Sequence, residues 1–104
     1  MIEIIWEFSV LAEWETKFER YYGSDGTWAE LFARASGFHG TALLRDQRTR
    51  GRYLTVDRWQ DLKSFETFKD QFIDEYQRID RQMEKLTLSE TLVGIFDLPA
   101  ESQT

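Results

Sequence analysis

The chain contains no cysteine and no asparagine, and it has only one histidine and one proline. Without cysteine it forms neither disulfides nor zinc–thiolate sites. No apolar run approaches the roughly 20 residues that a membrane span needs, and the first residues lack the basic segment of a signal peptide. These absences predict a cytoplasmic protein with no membrane partner and no metal site.

Positive charge is also in short supply, because 13 basic residues stand against 19 acidic ones and the net charge is −6. Binding to nucleic acid rests mostly on cationic contacts to phosphate, so this balance argues against a nucleic-acid partner. Hydrophobic residues make up 41% and aromatic residues 15% of the 104 residues, which is ample for one core. We therefore expect a single domain over residues 1–97 and a disordered tail over residues 98–104.

Hydrophobic periodicity predicts a strand followed by two helices. Residues 2–8 alternate in polarity as a strand does, and residues 10–22 have helical spacing. Gly23 is expected to end the first helix in a left-handed cap. Thr27 and Glu30 have the spacing of a capping box, which predicts a second helix that stops at residues 36–37. The flexible residues 23–26 are then a turn between two helices rather than a phosphate-binding loop, since they lack a lysine and P-loop spacing.

Residues 37–46 and 52–60 predict a β-hairpin whose register follows from its side chains. With Asp46 opposite Arg52, apolar residues pair on one face. A slip by one residue would place two arginines opposite each other. The other face then pairs His39, Thr41, Leu43 and Arg45 with Trp59, Asp57, Thr55 and Tyr53.

The rest of the chain predicts a helical segment over residues 62–86, capped by Asp61, which is either one helix or two divided near Asp74 and Glu75. A strand is predicted over residues 87–97. The element order is that of an α+β, ferredoxin-like βαββαβ (split βαβ) fold, an antiparallel sheet with helices on one face. Its open face remains apolar and requires a cover, so a homodimer is expected.

The segments "WAELFARASGF", "GFHGTALLRD" and "GRYLTVDRWQDLKSFETF" resemble the antibiotic biosynthesis monooxygenase family of dimeric α/β barrels. The resemblance spans nearly all of residues 1–97. It implies a homodimer and a small aromatic ligand. The family also includes haem-degrading proteins, recognised by an asparagine on the first strand, a tryptophan ending the third and a histidine in the next helix. Only Trp59 matches, so the resemblance implies no cofactor.

The resemblance to cofactor-free oxygenases implies a site that deprotonates an electron-rich ring. His39 is the expected base because its pKa lies near neutrality, and Asp57 is the alternative if burial raises its pKa. Trp59 and Tyr53 would hold the ring, and Arg45 would stabilise the anion. The predicted catalytic residues are His39, Asp57 and Trp59, and the predicted substrate-binding residues are Tyr53, Arg45, Thr41, Trp28 and Tyr22.

Each of these residues also has a purely structural interpretation. A single histidine on a strand is commonly a surface residue, and a tryptophan at a strand end commonly fills a core. Two other functions therefore stay open beside a monooxygenase of phenols, quinols or polyketide-like rings. One is a non-catalytic module that binds a small hydrophobic ligand, and the other is a dimerisation domain. The substrate itself is not specified by the sequence.

Overall fold

A computed structural model describes residues 1–99, which form four strands and four α-helices. In chain order these are β1 Ile2–Val10, α1 Glu15–Tyr22, α2 Thr27–Phe32, β2 Phe38–Arg45, β3 Arg52–Trp59, α3 Leu62–Gln71, α4 Ile73–Met83 and β4 Thr87–Asp97. Short 3₁₀ turns lie at Ala12–Trp14 and Glu84–Leu86. None of the helices in residues 1–99 is long and apolar enough to cross a membrane. Of the predicted disordered tail, residues 100–104 lie outside the described residues.

The strands form one antiparallel sheet in the order β2-β3-β1-β4. This order and the connections between the strands confirm the predicted ferredoxin-like fold. The helices cover one face, and the buried residues of β1 and β3 alternate toward them, with Phe8, Tyr53 and Trp59 almost fully buried. Phe18 and Phe68 from the helices complete this aromatic core. The opposite face of the sheet is open.

The sequence prediction places the start of the first helix earlier than the structure does. Val10 belongs to β1, where its N–H donates to the Gly51 carbonyl at 2.7 Å, and α1 starts only after the 3₁₀ turn. Gly23 ends α1 as predicted, but its φ of −72° is not left-handed. The wrong prediction has a simple cause, because strand pairing overrode the local helical spacing of Val10.

Residues 23–26 join two helices, as the sequence predicts, but the capping box is absent. Thr27 is the first helical residue, and the N-cap is Gly26, which provides no side-chain hydrogen bond. A Cβ at Gly26 would collide with the Arg20 carbonyl and lie 2.6 Å from the Tyr21 carbonyl oxygen. Glycine is required here by the close approach of α1, not by a left-handed conformation.

The long helical segment is divided in two. Asp61 caps α3 as predicted, since its carboxylate accepts from the Ser64 N–H at 2.8 Å. The interruption falls at Phe72, just before the predicted position near Asp74 and Glu75, because the φ of −114° and ψ of 28° at Phe72 leave the helical region. The predicted closing strand over residues 87–97 is confirmed.

The predicted hairpin register is confirmed over most of its length. Thr41 lies opposite Asp57, Ala42 opposite Val56 and Arg45 opposite Tyr53. The register shifts between Phe38 and Gly40, so that Phe38 and not His39 faces Trp59.

Candidate functional site

One pocket opens between the sheet and the helices. Its walls enclose about 440 Å³, part of it open to solvent, and the centres of water molecules can occupy about 40 Å³ of it. That is room for about three waters, because each needs roughly 10–15 Å³ by this measure. The lining residues come from strands and helices that the fold brings together: Trp6, Phe8, Tyr22, Trp28, Phe32, Thr41, Thr55, Asp57, Tyr76, Asp80 and Glu90.

Asp57 is the half-buried carboxylate of this pocket. It lies on β3 between Ile4 of β1 and Thr41 of β2, so both neighbouring strands shield it from water. The Thr41 hydroxyl donates to Asp57 Oδ1 at 2.5 Å. Burial raises the pKa of Asp57 to about 6, and the hydrogen bond from Thr41 opposes this rise. At neutral pH Asp57 is therefore mainly ionised and a stronger base than an exposed aspartate.

Two further carboxylates lie in the lining beside two tyrosines. Tyr76 and Asp80 are four residues apart and lie on one side of α4. Glu90 lies on β4, where it pairs with Phe8 of β1. Burial and the nearby Asp80 carboxylate raise the pKa of Glu90. Burial raises the pKa of Tyr76 to about 12 and that of Tyr22 further still, so both hydroxyls remain protonated and available as donors.

Trp28 contributes a donor that the protein does not use. The residue is 8% exposed, and its Nε1 is buried without a hydrogen-bond partner among the described residues. The Tyr22 ring lies beside it, with centroids 6.2 Å apart. The Trp28 N–H is close enough to the Tyr22 hydroxyl to lower its pKa against the larger effect of burial, without reaching hydrogen-bonding geometry. Buried N–H groups without acceptors are uncommon in proteins, and this one belongs to a pocket wall.

The structure brings four of the predicted site residues into this pocket: Asp57, Thr41, Trp28 and Tyr22. Cross-strand pairing placed Asp57 beside Thr41, and the turn at residues 23–26 placed Tyr22 beside Trp28. Whether these residues act on a substrate stays a prediction.

His39 is not brought into the pocket, and its predicted position opposite Trp59 is wrong. Alternation along β2 is broken at the register shift between Phe38 and Gly40, and His39 is exposed. Gly40 adopts a φ of +118°, a value that glycine reaches easily and other residues rarely reach. The bulge therefore turns His39 away from the residues that it was predicted to join.

Trp59 also lies outside the pocket lining. Its side chain is completely buried, and its ring packs edge-on against Phe32 at 5.6 Å between centroids. Phe32 in turn lines the pocket. Trp59 thus supports a pocket wall from behind and does not face the enclosed space.

Tyr53 and Arg45 form a separate polar cluster with α1. The Tyr53 hydroxyl donates to Glu19 Oε2 at 2.5 Å, and Glu15 Oε1 lies 3.2 Å away. Arg45 pairs with the same Glu19 carboxylate at 3.1 Å. Burial and these carboxylates raise the pKa of Tyr53. The prediction that Tyr53 and Arg45 share a pocket with Asp57 is wrong, because both are engaged by α1.

Sequence reasoning missed several members of the lining. Trp6 and Thr55 were detectable. They lie opposite each other on β1 and β3, and strand alternation places them on the same face of the sheet as Asp57. Tyr76, Asp80 and Glu90 had no comparable signal, because their position depends on how α4 and β4 pack against distant parts of the chain.

Comparison with known proteins supports this fold. The sequence profile described as antibiotic biosynthesis monooxygenase matches residues 1–82. Among curated proteins no sequence matches significantly.

Several solved structures have the same fold at low identity. SnoaB, a cofactor-independent oxygenase from Streptomyces nogalater, is 24% identical over 94% of this chain and 92% of its own, with a TM-score of 0.70. A Bordetella bronchiseptica protein provisionally named an antibiotic biosynthesis monooxygenase is 21% identical over 94% and 96%, with a TM-score of 0.72. A MhuD mutant that holds two manganese protoporphyrin IX molecules per active site is 18% identical over 94% and 94%, with a TM-score of 0.64.

A haem group does not fit the residues of this pocket. Its lining contains no histidine, cysteine or methionine to bind iron. Tyr22 and Tyr76 would have to ionise to do so, and burial opposes this by raising the pKa of both. Within residues 1–99, no group of three or more histidine, aspartate or glutamate side chains is arranged to hold a metal ion.

Proposed function

Because the chain belongs to the antibiotic biosynthesis monooxygenase family, we propose that it is a cofactor-independent monooxygenase that oxidises an electron-rich aromatic small molecule. One observation supports this most directly, namely a carboxylate with a pKa of about 6 inside an aromatic pocket. The ligand is a phenol or quinol ring that lies between the aromatic walls. The fold similarity to an oxygenase agrees with this proposal.

The chemistry requires the protein to make the substrate react with oxygen. Ground-state O₂ is a triplet and reacts slowly with closed-shell molecules unless they can give up an electron. Removing the phenolic proton makes the ring a good electron donor. O₂ then forms a bond to a ring carbon that carries hydrogen, and loss of water leaves a carbonyl. A phenol and O₂ thus give a quinone and water, and the substrate supplies all the electrons.

In this proposal Asp57 accepts the phenolic proton. Its raised pKa reduces the difference from a phenol, which makes the transfer easier than to an exposed aspartate. Thr41 holds the carboxylate in place through its hydroxyl. The unused Trp28 N–H donates to the ring oxygen as negative charge develops there, as an oxyanion donor does. The small volume open to water limits competing reactions of the intermediate.

Oxygen consumption tests the proposed function directly. A panel of dihydroxynaphthalenes and anthrones is supplied without metal, flavin or haem, and dissolved oxygen is followed with an electrode. We expect uptake above the rate without protein for at least one of them, with one O₂ consumed per quinone formed. Tight binding of a panel member with no uptake would instead assign the protein as a ligand-binding module.

We also propose that two copies pack through their open sheet faces. The open face presents apolar residues from all four strands: Ile5, Ala42, Leu44, Leu54, Val56 and Phe96. Leu44 and Phe96 are 48% and 47% exposed. Ion pairs between Glu3 and Arg58 and between Glu7 and Arg52 border this apolar centre. An apolar centre with a polar border is typical of a protein interface.

Sedimentation equilibrium at micromolar concentration should give a mass twice the 12.4 kDa of the chain. Leu44→Asp should shift this mass toward the monomer, because it places a charge in the apolar centre. Leu62→Asp is the matched control, since Leu62 is 40% exposed on the helical side and should leave the mass unchanged. A wild-type protein that sediments as a monomer would contradict this arrangement.

A further inference from the structure

We propose that the pocket accepts an aromatic ligand that carries a protonated amine, so that the substrate brings the positive charge that the site lacks. The identity of the substrate rests on the proposed function. The binding of such a ligand can be tested without it. The observations that support it are the charges, the rings and an unused donor of the same pocket.

The charges of the lining are all of one sign. Asp57, Asp80 and Glu90 line the pocket, and no lysine, arginine or histidine does. Elsewhere within residues 1–99, six carboxylates are paired with arginines, among them Glu7 and Asp46 with Arg52. Within residues 1–99, none of the three pocket carboxylates has a basic partner within ion-pair distance. An anionic ligand is therefore repelled, and a cationic one is attracted.

The walls are made of the rings that attract organic cations. Trp6, Tyr22, Trp28 and Tyr76 all line the pocket, and the faces of electron-rich rings attract ammonium groups. The protein already uses this interaction at the edge of the site, because Lys69 Nζ lies 4.9 Å from the centre of the Tyr76 ring. Aromatic walls together with carboxylates are a combination suited to alkylammonium groups.

The Trp28 indole adds an unpartnered donor at the pocket wall. Its Nε1–H is buried and has no acceptor within the described part of the chain, and an acceptor at such a buried donor is stabilising. An oxygen atom on the ligand would supply the acceptor. The ligand is thus expected to combine a ring oxygen with an ammonium group.

A metal ion is a poor alternative as the positive charge. Three or more clustered side chains would be needed to hold it, and residues 1–99 contain no such cluster of histidine, aspartate and glutamate. The pocket carboxylates are instead spread over β3, α4 and β4. A larger organic cation can lie near all of them without requiring convergent ligands.

The proposed reaction also benefits from a cation on the substrate. The sequence predicted that Arg45 would stabilise the ring anion, but Arg45 is paired with Glu19 outside the pocket. Removing a phenolic proton among carboxylates is unfavourable by Coulomb repulsion. An ammonium group on the same molecule offsets this repulsion and keeps the deprotonated ligand neutral overall.

Three phenols of similar shape and different charge test the inference. These are tyramine, 4-propylphenol and 3-(4-hydroxyphenyl)propionate, which are cationic, neutral and anionic at pH 7. Binding is measured by titration calorimetry at low and high salt. We expect tyramine to bind about tenfold more tightly than 4-propylphenol, and the propionate most weakly. The preference for tyramine should shrink at high salt, because salt screens the charges.

Variants identify the groups responsible. The double variant Asp80→Asn with Glu90→Gln should reduce the preference to threefold or less, and both residues are exposed, so the fold should survive. The double variant Glu13→Gln with Glu66→Gln makes the same change in net charge on exposed residues outside the pocket. It should retain the preference, which separates a local effect from overall charge.

The outcomes separate this inference from the proposed function. Equal binding of tyramine and 4-propylphenol, or tighter binding of the propionate, would overturn the inference, whether or not oxygen is consumed with neutral rings. Charge-ordered binding without oxygen uptake from any amine-bearing or neutral phenol would support the inference and remove the oxygenase. A preference that both double variants retain equally would also overturn it, since the pocket carboxylates would not be its source.

Discussion

Replacing Asp57 with asparagine is expected to lower turnover by about 10²–10⁴-fold, the usual contribution of a general base. The substitution keeps the size of the side chain and its ability to accept the hydrogen bond from Thr41, which is 2.5 Å long in the wild type. It removes only the capacity to accept a proton. The measurement is initial oxygen uptake with the best substrate of the panel.

The same substitution should make the protein more stable at pH 7. Burial raises the pKa of Asp57 from 3.8 to about 6, so the folded state binds the proton more tightly than the unfolded state does. The resulting stabilisation is complete below about pH 3.8 and is lost as pH rises to about 6. A shift of this size corresponds to about 3 kcal/mol. Asparagine stays neutral, and Asp57→Asn should recover a large part of that free energy of unfolding above pH 6.

A pH profile and a control complete this test. The wild-type rate should fall below about pH 6 as Asp57 becomes protonated. The remaining activity of Asp57→Asn should not show this fall. His39→Ala is the control, because His39 is exposed and outside the pocket, and it should keep turnover within about twofold. Loss of turnover in His39→Ala with normal activity in Asp57→Asn would reverse the assignment of the base.

The contrast between Asp57 and His39 shows what a sequence can predict about this site. Charge and hydrophobic pairing determine the hairpin register, and this places Thr41 opposite Asp57 correctly. The alternation of side chains between the two faces of β2 is interrupted at the register shift between Phe38 and Gly40. The glycine was visible in the sequence, but glycines in strands also occur without a bulge. His39, which the sequence favours as the base, lies outside the pocket for a reason of backbone geometry alone.

The acidic side of the pocket was beyond sequence reasoning for a different reason. Tyr76 and Asp80 face the pocket because the helical segment is interrupted at Phe72, which sets the direction of α4. Glu90 depends on β4, whose register with β1 shifts at two places. Such packing directions depend on contacts between distant elements, and no local pattern of the chain records them. The charge of the pocket, and with it the proposed class of ligand, could therefore be inferred only with the structure.

Truncation of Trp59 to alanine is expected to reduce the free energy of unfolding by about 3–5 kcal/mol, the usual cost for a buried tryptophan. The side chain is 0% exposed and meets four aromatic rings at 5.2–5.6 Å between centroids: Phe32, Phe38, Phe65 and Phe68. A cavity at this position leaves all four without a partner on one side. Denaturant unfolding, with and without the substitution, measures the loss.

Trp59→Phe separates the packing role of this residue from a chemical one. Phenylalanine keeps a ring against Phe32 and removes the Nε1–H, which is buried without an acceptor in the described residues. The loss of stability should therefore be much smaller, about 1–2 kcal/mol. Because Trp59 lies behind Phe32 and outside the pocket lining, turnover of Trp59→Phe should remain within about threefold of wild type. If this variant folds normally and yet loses 10²-fold or more in turnover, the indole itself takes part in the reaction, and the pocket must extend past Phe32 when the substrate binds.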